Sequence, residues 1–525
     1  MVRYNPTPSH EDALGQIFDD LKKHIPEDRT PNPIAPQPSN VSKSEIPEPE
    51  ILSQHSPEEI RLQLEQKTSE ILNSSKEDRL QKYDKFRERY GRPIFMSWYV
   101  STSIPDNIIF GYKVKEKIGG GAFGDVYRAT TGDLDNNYAI KILKHENSND
   151  AEFWRSFRRG VESMRILSQH RVAGMVPYIE AHELPPCVIM KYIDGIDLSN
   201  LIKDSNFEIW AQGLPISIDV CEIIHNGHLL PERVLHRDIR PGNILIEDYY
   251  NPSVEGFSVK VLDFDLSWHK NAEGRSMLPG FSAAGFLAPE QLTENPKVST
   301  RSALVDSYGI GMTIFFIFSR SQPPTFGSAS EDWLEILYRN LSVDFSLPWV
   351  SAPLRIARLI DSCTKQRQKG RLDMGAVLSE LKCLRVALSD MTQVNSAELW
   401  VDEIASRIFG TSSYRWNSDR IAAEFETARG LAIHLTGDEV GGYIFVRIER
   451  LSTGEEEFRS ISKYWPQAAR RASDALTKTG WKLDKHAGFS DQSIRVTGYI
   501  ELDYIKDKID EVVRGLRAAR EEVML

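Results

Sequence analysis

The run His236-Arg237-Asp238-Ile239-Arg240-Pro241-Gly242-Asn243, followed by Asp263-Phe264-Asp265, constrains this chain more than any other feature. The Asp238 carboxylate stands where a hydroxyl can give up its proton. The Asn243 amide, five residues on, and the Asp263 carboxylate, after a short hairpin, are spaced to hold Mg²⁺ against nucleotide phosphates. A single Asp in a polar turn carries no such meaning. The whole spacing does, because other matching pieces lie in order on both sides. It reads as a phosphoryl-transfer centre.

Length bounds the rest. At 525 residues the chain has room for about three domains of roughly 150 residues each. A formal net charge of -11 argues against general nucleic-acid binding, which favours a basic face. No apolar run approaches the roughly 20 residues that cross a bilayer. The longest, Tyr308 to Phe318, is interrupted by Gly309 and Gly311 and reads as a buried helix. The N-terminus has no signal-peptide core, so the expectation is a cytoplasmic protein with no membrane partner. Cys187, Cys221, Cys363 and Cys383 are scattered without metal-ligand spacing and read as buried free thiols.

Composition shifts mark the expected domains. Residues 1–56 are a disordered Pro-rich tail, with Pro31, Pro33, Pro36, Pro38, Pro47 and Pro49 close together. Residues 57–105 are a charged helical linker, opened by Ser56 as N-cap and Pro57 at N1. Its apolar positions Ile60, Leu62, Leu64, Ile71 and Leu72 are sparse, and it reads equally as a regulatory element or a solvated spacer. Residues 106–392 are the catalytic domain. Residues 393–525, after a polar junction, are a small α+β domain that could bind a regulatory protein or a small ligand. Its pattern predicts a helix over 399–408, a strand over 442–448 and a helix over 466–479 that starts at Pro466 and ends before Gly480. A strand over 493–502 follows. Ile505, Ile509, Val512, Val513, Leu516 and Ala519 then mark the apolar face of a terminal helix. Trp400, Trp416, Trp465 and Trp481 read as core.

Upstream, Gly119-Gly120-Gly121-Ala122-Phe123-Gly124-Asp125-Val126 fits G-x-G-x-x-G-x-V. Glycines let the backbone approach phosphates and offer N–H donors without Cβ clashes. A dinucleotide-binding turn would need a helix next. Here Val126 to Thr130 reads as a strand, and Tyr138 to Leu143 as a second one after a turn. A hairpin lid with Lys141 on the following strand suits a nucleoside triphosphate, the Lys neutralising the α/β-phosphates.

With these pieces in order, the segment from about 110 to 390 resembles the eukaryotic-type (Ser/Thr) protein kinase family. The Arg240-Pro241-Gly242 run and Asp265 are similar to atypical, bacterial members. The resemblance implies a two-lobed α+β protein-kinase fold flanked by the N-terminal extension and the C-terminal α+β domain. It implies ATP and Mg²⁺ as cofactors, a protein substrate, Asp238 as catalytic base, Arg240 on the γ-phosphate, and Asn243 and Asp263 as metal ligands. The nucleotide would be lined by Ile118, Gly119, Gly121, Gly124, Val126, Ala139 and Lys141, with Met190 as gatekeeper and the backbone of Lys191 and Ile193 on the adenine. Ala288-Pro289-Glu290 matches the end of the activation segment, Asp306 the helix anchor of the larger lobe, and Arg371 the late arginine that pairs with Glu290. Small-molecule kinases share the nucleotide site but lack that peptide-docking segment. The order of the C-terminal domain is similar, at low specificity, to secretion-chaperone-like modules.

Four positions depart from the family's pattern. Phe157 and Met164 set the register of the regulatory helix, about 150–168, and the family's Glu then lands on Gly160. Gly160 also weakens that helix by roughly 1 kcal/mol. Glu162 lies two residues on, about 200° around a helix. Either the helix is distorted so that Glu162 reaches Lys141, or Asp263 or another acid orients the Lys. Asp265 replaces a Gly and adopts left-handed φ less freely, which predicts a stiffer switch. Arg240 replaces a Lys, a planar fork in place of a point charge. Ala283 stands where a Thr braces the base, with Ser282 one residue early. Arg237 is placed to meet a phosphorylated activation segment, whose hydroxyls are Ser267, Ser276 and Ser282, with Ser276 beside Arg275 the best candidate. The base, the metal ligands and the phosphate Lys are all kept, which favours an active kinase. A pseudokinase or nucleotide-gated scaffold acting through the flanking domains is the alternative.

Overall fold

The structure is a computed structural model. It describes residues 75, 78, 108–109, 112–121, 123–131, 136–144, 151–183, 186–249, 256–270, 272, 285–292, 298–324, 344–410, 414–417, 420–426, 431–451, 455–483, 489–490 and 493–524. The Pro-rich tail and, apart from Ser75 and Asp78, the helical linker lie outside these residues, as do Ser276, Ser282 and Ala283. The chain forms two compact units. The first comprises residues up to 196 with 229–236 and 245–276, and the second comprises 197–228, 237–244 and 277–525.

The first unit is built on an antiparallel sheet. Its strands are β1 (Ile108–Ile109), β2 (Tyr112–Gly120), β3 (Gly124–Thr131), β4 (Asn137–Leu143), β5 (Tyr178–Glu183) and β6 (Pro186–Lys191), in the order β1-β2-β3-β4-β6-β5. Alternation along the strands divides two jobs between its faces. Tyr112, Val114, Tyr127, Ala129, Ile140, Ile142, Cys187 and Ile189 form one buried apolar cluster. On the other face the register sets Gly119 opposite Val126, Val126 opposite Lys141, and Ala139 opposite Met190. Helix α1 (Ala151–Gln169) lies between β4 and β5 in sequence. A short three-stranded sheet places β8 (Ile244–Glu247) between β7 (Gly195–Asp197) and β9 (Ser258–Val261), and the β8–β9 hairpin leads the chain to Asp263.

The second unit is mainly helical. Its described α-helices are α2 (Leu198–Leu201), α3 (Leu214–Leu229), α4 (Pro289–Leu292), α5 (Leu304–Ser319), α6 (Ala352–Cys363), α7 (Met374–Ser389) and α8 (Ala397–Phe409), followed by two in the C-terminal region. Every residue of α5 from Val305 to Phe318 is buried, as the apolar run predicts. Gly311 is needed there because a Cβ would come within 2.6 Å of the Cys363 Cβ of α6. The four cysteines are free thiols; three are buried and Cys383 is half-buried.

The C-terminal region is an antiparallel sheet covered by helices. After α8 come β10 (Arg415–Asn417), β11 (Ala422–Glu426), β12 (Leu431–Asp438), β13 (Tyr443–Leu451), α9 (Glu455–Thr477), β14 (Lys482–Leu483), β15 (Phe489–Ser490), β16 (Ser493–Glu501) and α10 (Leu502–Met524). The expected strand–helix–strand–helix order omits five of these strands. Helix α9 does not start at Pro466 but runs through it. A proline inside a helix costs about 3 kcal/mol. Burial of Trp465, Ala472 and Leu476 on the same helix offsets this. Gly480 follows α9 with φ 91°, where a Cβ would strike the Tyr504 ring. Trp400, Trp465 and Trp481 are buried, and Trp416 is half-buried under the Arg358 guanidinium.

This region is continuous with the helices before it. Ser396 caps α8 by accepting from the Leu399 N–H. Trp349 packs edge-on against Trp400 with ring centroids 4.9 Å apart, and both are fully buried. Glu403 of α8 accepts from the backbone N–H of Val350 at 2.9 Å and of Ser351 at 2.8 Å, at the start of α6. Arg355 of α6 meets Glu380 at 2.6 Å, Glu398 at 3.0 Å and Asp402 at 3.2 Å. Arg358 meets the other oxygen of Asp402 at 2.6 Å.

Candidate active site

In the first unit the chemistry gathers on Lys141. Its Nζ donates to Asp263 Oδ1 at 2.7 Å and to Asp265 Oδ2 at 2.6 Å. Burial works against the ammonium, but the two carboxylates outweigh it and raise the Lys141 pKa. Burial also opposes ionisation of Asp263, yet Lys141 prevails and holds that carboxyl at about 2. Asp265 goes the other way, pushed up to about 7 by burial and by the Asp263 charge. One ammonium flanked by two acids therefore favours ionisation of Asp263 over that of Asp265.

The glycine-rich turn joins β2 to β3. Gly124 is enforced by the backbone, since a Cβ there would lie 2.6 Å from the Ile142 carbonyl oxygen. Among the described residues, nothing lies within 4 Å of a would-be Cβ on Gly121. Lys117 closes the hairpin on buried Asp125 at 2.9 Å. Ile118 is exposed, Val126 half-buried, and Ala139, Met190 and Ile193 buried. Lys191 is exposed at the end of β6, and its N–H donates to the Pro177 carbonyl.

Helix α1 bears on the same cluster. A Cβ on Gly160 would sit 2.9 Å from the Phe264 carbonyl oxygen, so the helix approaches the tripeptide as only glycine allows. Phe264 is buried against His236 at 4.8 Å, and His236 Nε2 bonds the Leu262 carbonyl. Glu162 does not reach Lys141; it forks onto Arg165 at 2.5 and 2.8 Å. Of the two arrangements left open by the sequence, the helix keeps its register and acids of the tripeptide hold the Lys. The left-handed residue of the tripeptide is Asp263, with φ 62°, and not Asp265. Position 265 therefore asks nothing of glycine. Ser267 is buried, its Oγ donating to Ser163, which removes it as an exposed hydroxyl.

In the second unit Asp238 is buried and gripped by its own loop. The Asn243 amide donates to the Asp238 backbone carbonyl at 2.8 Å and to its Oδ2 at 2.9 Å. The Arg240 Nε reaches the same Oδ2 at 3.3 Å. Pro241 opens the tight turn that brings Asn243 back over Asp238. Arg237 has φ 67°, an uncommon conformation held from both sides. Its N–H donates to buried Asp306 at 2.6 Å, and its carbonyl accepts from Gln291 at 2.8 Å. His228 takes the other Asp306 oxygen at 2.7 Å. Glu290 and Arg371 form a buried two-pronged pair at 2.7 and 2.9 Å, with Gln368 also donating to Glu290.

Comparison with known proteins decides the family. The protein kinase domain family matches residues 112–381, just over half of the chain. The chain belongs to the protein kinase family. This kinase is 26% identical over 232 residues to the serine/threonine-protein kinase PknB of Mycolicibacterium smegmatis, covering 43% of this chain and 35% of that one. It is 28% identical over 213 residues to the serine/threonine-protein kinase PrkC of Bacillus subtilis, covering 40% of this chain and 31% of that one. The chain thus spans about a third of the length of these curated relatives. The crystal structure of the Mycobacterium tuberculosis PknI kinase domain is 17% identical over 54% of this chain and 98% of its own, with a TM-score of 0.38. Kinase-domain membership implies use of ATP and Mg²⁺ in general. No described helix is long and apolar enough to cross a membrane.

Sequence reading missed Asp265 as the second partner of Lys141. The signal was present as two separate departures, an acid gained at 265 and an acid missing at 160. It also missed Gln291 and His228, whose contacts become visible only when α3, α4 and α5 are assembled.

Proposed function

We propose that this kinase transfers the γ-phosphoryl group of ATP to Ser or Thr hydroxyls of a protein substrate. Asp238 takes the hydroxyl proton, Arg240 meets the γ-phosphate, and Lys141 neutralises the α/β-phosphates. Asn243 and Asp263 offer hard oxygen ligands that suit Mg²⁺, and the Asn243 nitrogen is already spent on Asp238. When bound, Mg²⁺ neutralises charge on the transferring phosphates.

The observation that carries this reading is the double grip of Asn243 on Asp238. One bond meets the Asp238 backbone carbonyl and the other its Oδ2, so the carboxylate is oriented by its own loop, as a general base requires. The Glu290–Arg371 pair supports a protein substrate, because it anchors the Ala288-Pro289-Glu290 segment that small-molecule kinases lack.

The test is transfer of label from γ-labelled ATP by the full chain to itself or to a generic protein acceptor such as myelin basic protein, followed by phosphoamino-acid analysis. Asp238→Ala should reduce transfer by about 10² to 10⁴. Mg-ATP binding with no transfer would favour the nucleotide-gated scaffold instead, and label confined to tyrosine would remove the Ser/Thr assignment.

A further inference from the structure

We infer that Asp265 is the residue that positions Lys141 for nucleotide, and that α1 acts on Lys141 through the backbone of residues 264 and 265 rather than through Glu162. Four observations meet here. Lys141 Nζ lies 2.6 Å from Asp265 Oδ2, and the two side chains are only 11% and 10% exposed. Glu162 of α1 is 39% exposed and spent on Arg165. Ser156 Oγ donates to the Asp265 carbonyl at 2.6 Å and itself accepts from Arg159 at 2.9 Å. Gly160 lies against the Phe264 carbonyl, and Ser163 accepts from Ser267.

Residues 156, 160 and 163 follow the spacing of one helix face. That face touches residues 265, 264 and 267 in turn. The helix therefore holds residues 264–267 by one hydroxyl, one close backbone approach and a second hydroxyl. Asp265, so held, bonds Lys141. A large residue at 160 would push the segment away, and a residue other than an acid at 265 would leave Asp263 alone with Lys141. Asp263 is also the proposed Mg²⁺ ligand. A second acid would hold the Lys while Asp263 served as a metal ligand, which gives position 265 a function that glycine cannot perform.

The activity readout rests on the kinase reading above, so binding is measured beside it. Dissociation constants for Mg-ATP, by displacement of a fluorescent ATP analogue, and KM and kcat for transfer are compared for the full-length chain and for Asp265→Asn, Asp265→Glu and Ser156→Ala. Asp265→Asn removes the carboxylate charge from Lys141, leaving only a neutral amide oxygen to accept, and should raise both the dissociation constant and KM for Mg-ATP about tenfold. The effect on kcat should be smaller. Asp265→Glu should recover most of the loss, and Ser156→Ala should show a rise of about threefold with the acid still present. Unchanged or tighter Mg-ATP binding in Asp265→Asn would overturn the inference, as would Asp265→Glu failing as badly as Asn. If the wild-type chain binds Mg-ATP but transfers nothing, the proposed function fails while the binding series still decides this one.

Discussion

At the scale of single residues, Gly160 sets helix propensity against backbone packing. In an isolated helix, replacing glycine with alanine helps by about 1 kcal/mol. Here the added methyl would meet the Phe264 carbonyl oxygen at 2.9 Å, its carbonyl carbon at 3.1 Å and the Asp265 Cα at 3.3 Å. Backbone cannot turn aside as a flexible side chain can. Gly160→Ala should therefore destabilise by about 1–3 kcal/mol, the usual result of overpacking. Urea unfolding followed by fluorescence checks the sign, and a variant more stable than wild type would show that helix propensity wins. Comparison with Ser156→Ala separates loss of the close approach from loss of the hydroxyl. The sequence made Gly160 visible as an oddity of one helix. Its reason lies about 105 residues away along the chain, in a loop whose path no local pattern specifies.

At the scale of elements, Glu290 of α4 is tied to Arg371, which lies just before α7. Both side chains are almost fully buried, Arg371 also reaches the Lys365 and Leu304 carbonyls, and its guanidinium lies 5.1 Å from the Tyr308 ring. Removing one member of a buried pair leaves an unpaired charge and typically costs about 3–5 kcal/mol. Arg371→Ala should thus lower the unfolding free energy by about that amount, read from chemical denaturation, and Arg371→Lys should recover only part because it cannot fork onto both oxygens. This pairing was legible beforehand, since both residues sit in recognisable segments. So were α5, β13, β16 and α10, whose apolar periods are long. The strands β10, β11, β14 and β15 were not, because at two to five residues they are too short to show a period, and β12 was missed because its opening Leu431-Ala432-Ile433 does not alternate. The start of α9 was misread for another reason. Pro466 is a good local start signal, and burial of Trp465, Ala472 and Leu476 on either side of it overrides that signal.

At the scale of the whole molecule, the α+β region past residue 393 behaves as part of the second unit and not as a tethered passenger. Cut there, α6 would lose Glu398 and Asp402 from Arg355 and Asp402 from Arg358, leaving Arg355 with Glu380 among the described residues. The N–H groups of Val350 and Ser351 would lose Glu403, and Trp349 would lose the ring of Trp400. Trp349 is fully buried in the intact chain, so the cut places a large apolar surface in water. These losses exceed the cost of a single buried pair, about 3–5 kcal/mol, which alone would move a melting temperature by roughly 10 °C in a domain of this size. A chain ending at Gln393 should therefore melt at least about 10 °C below the full chain, or aggregate, and its loss of phosphoryl transfer should track that instability. Matched thermal melts of the two chains under one buffer decide it. A truncated chain that melts with the full-length protein would show that the buried Arg355 network is dispensable and that the kinase core ends at α7.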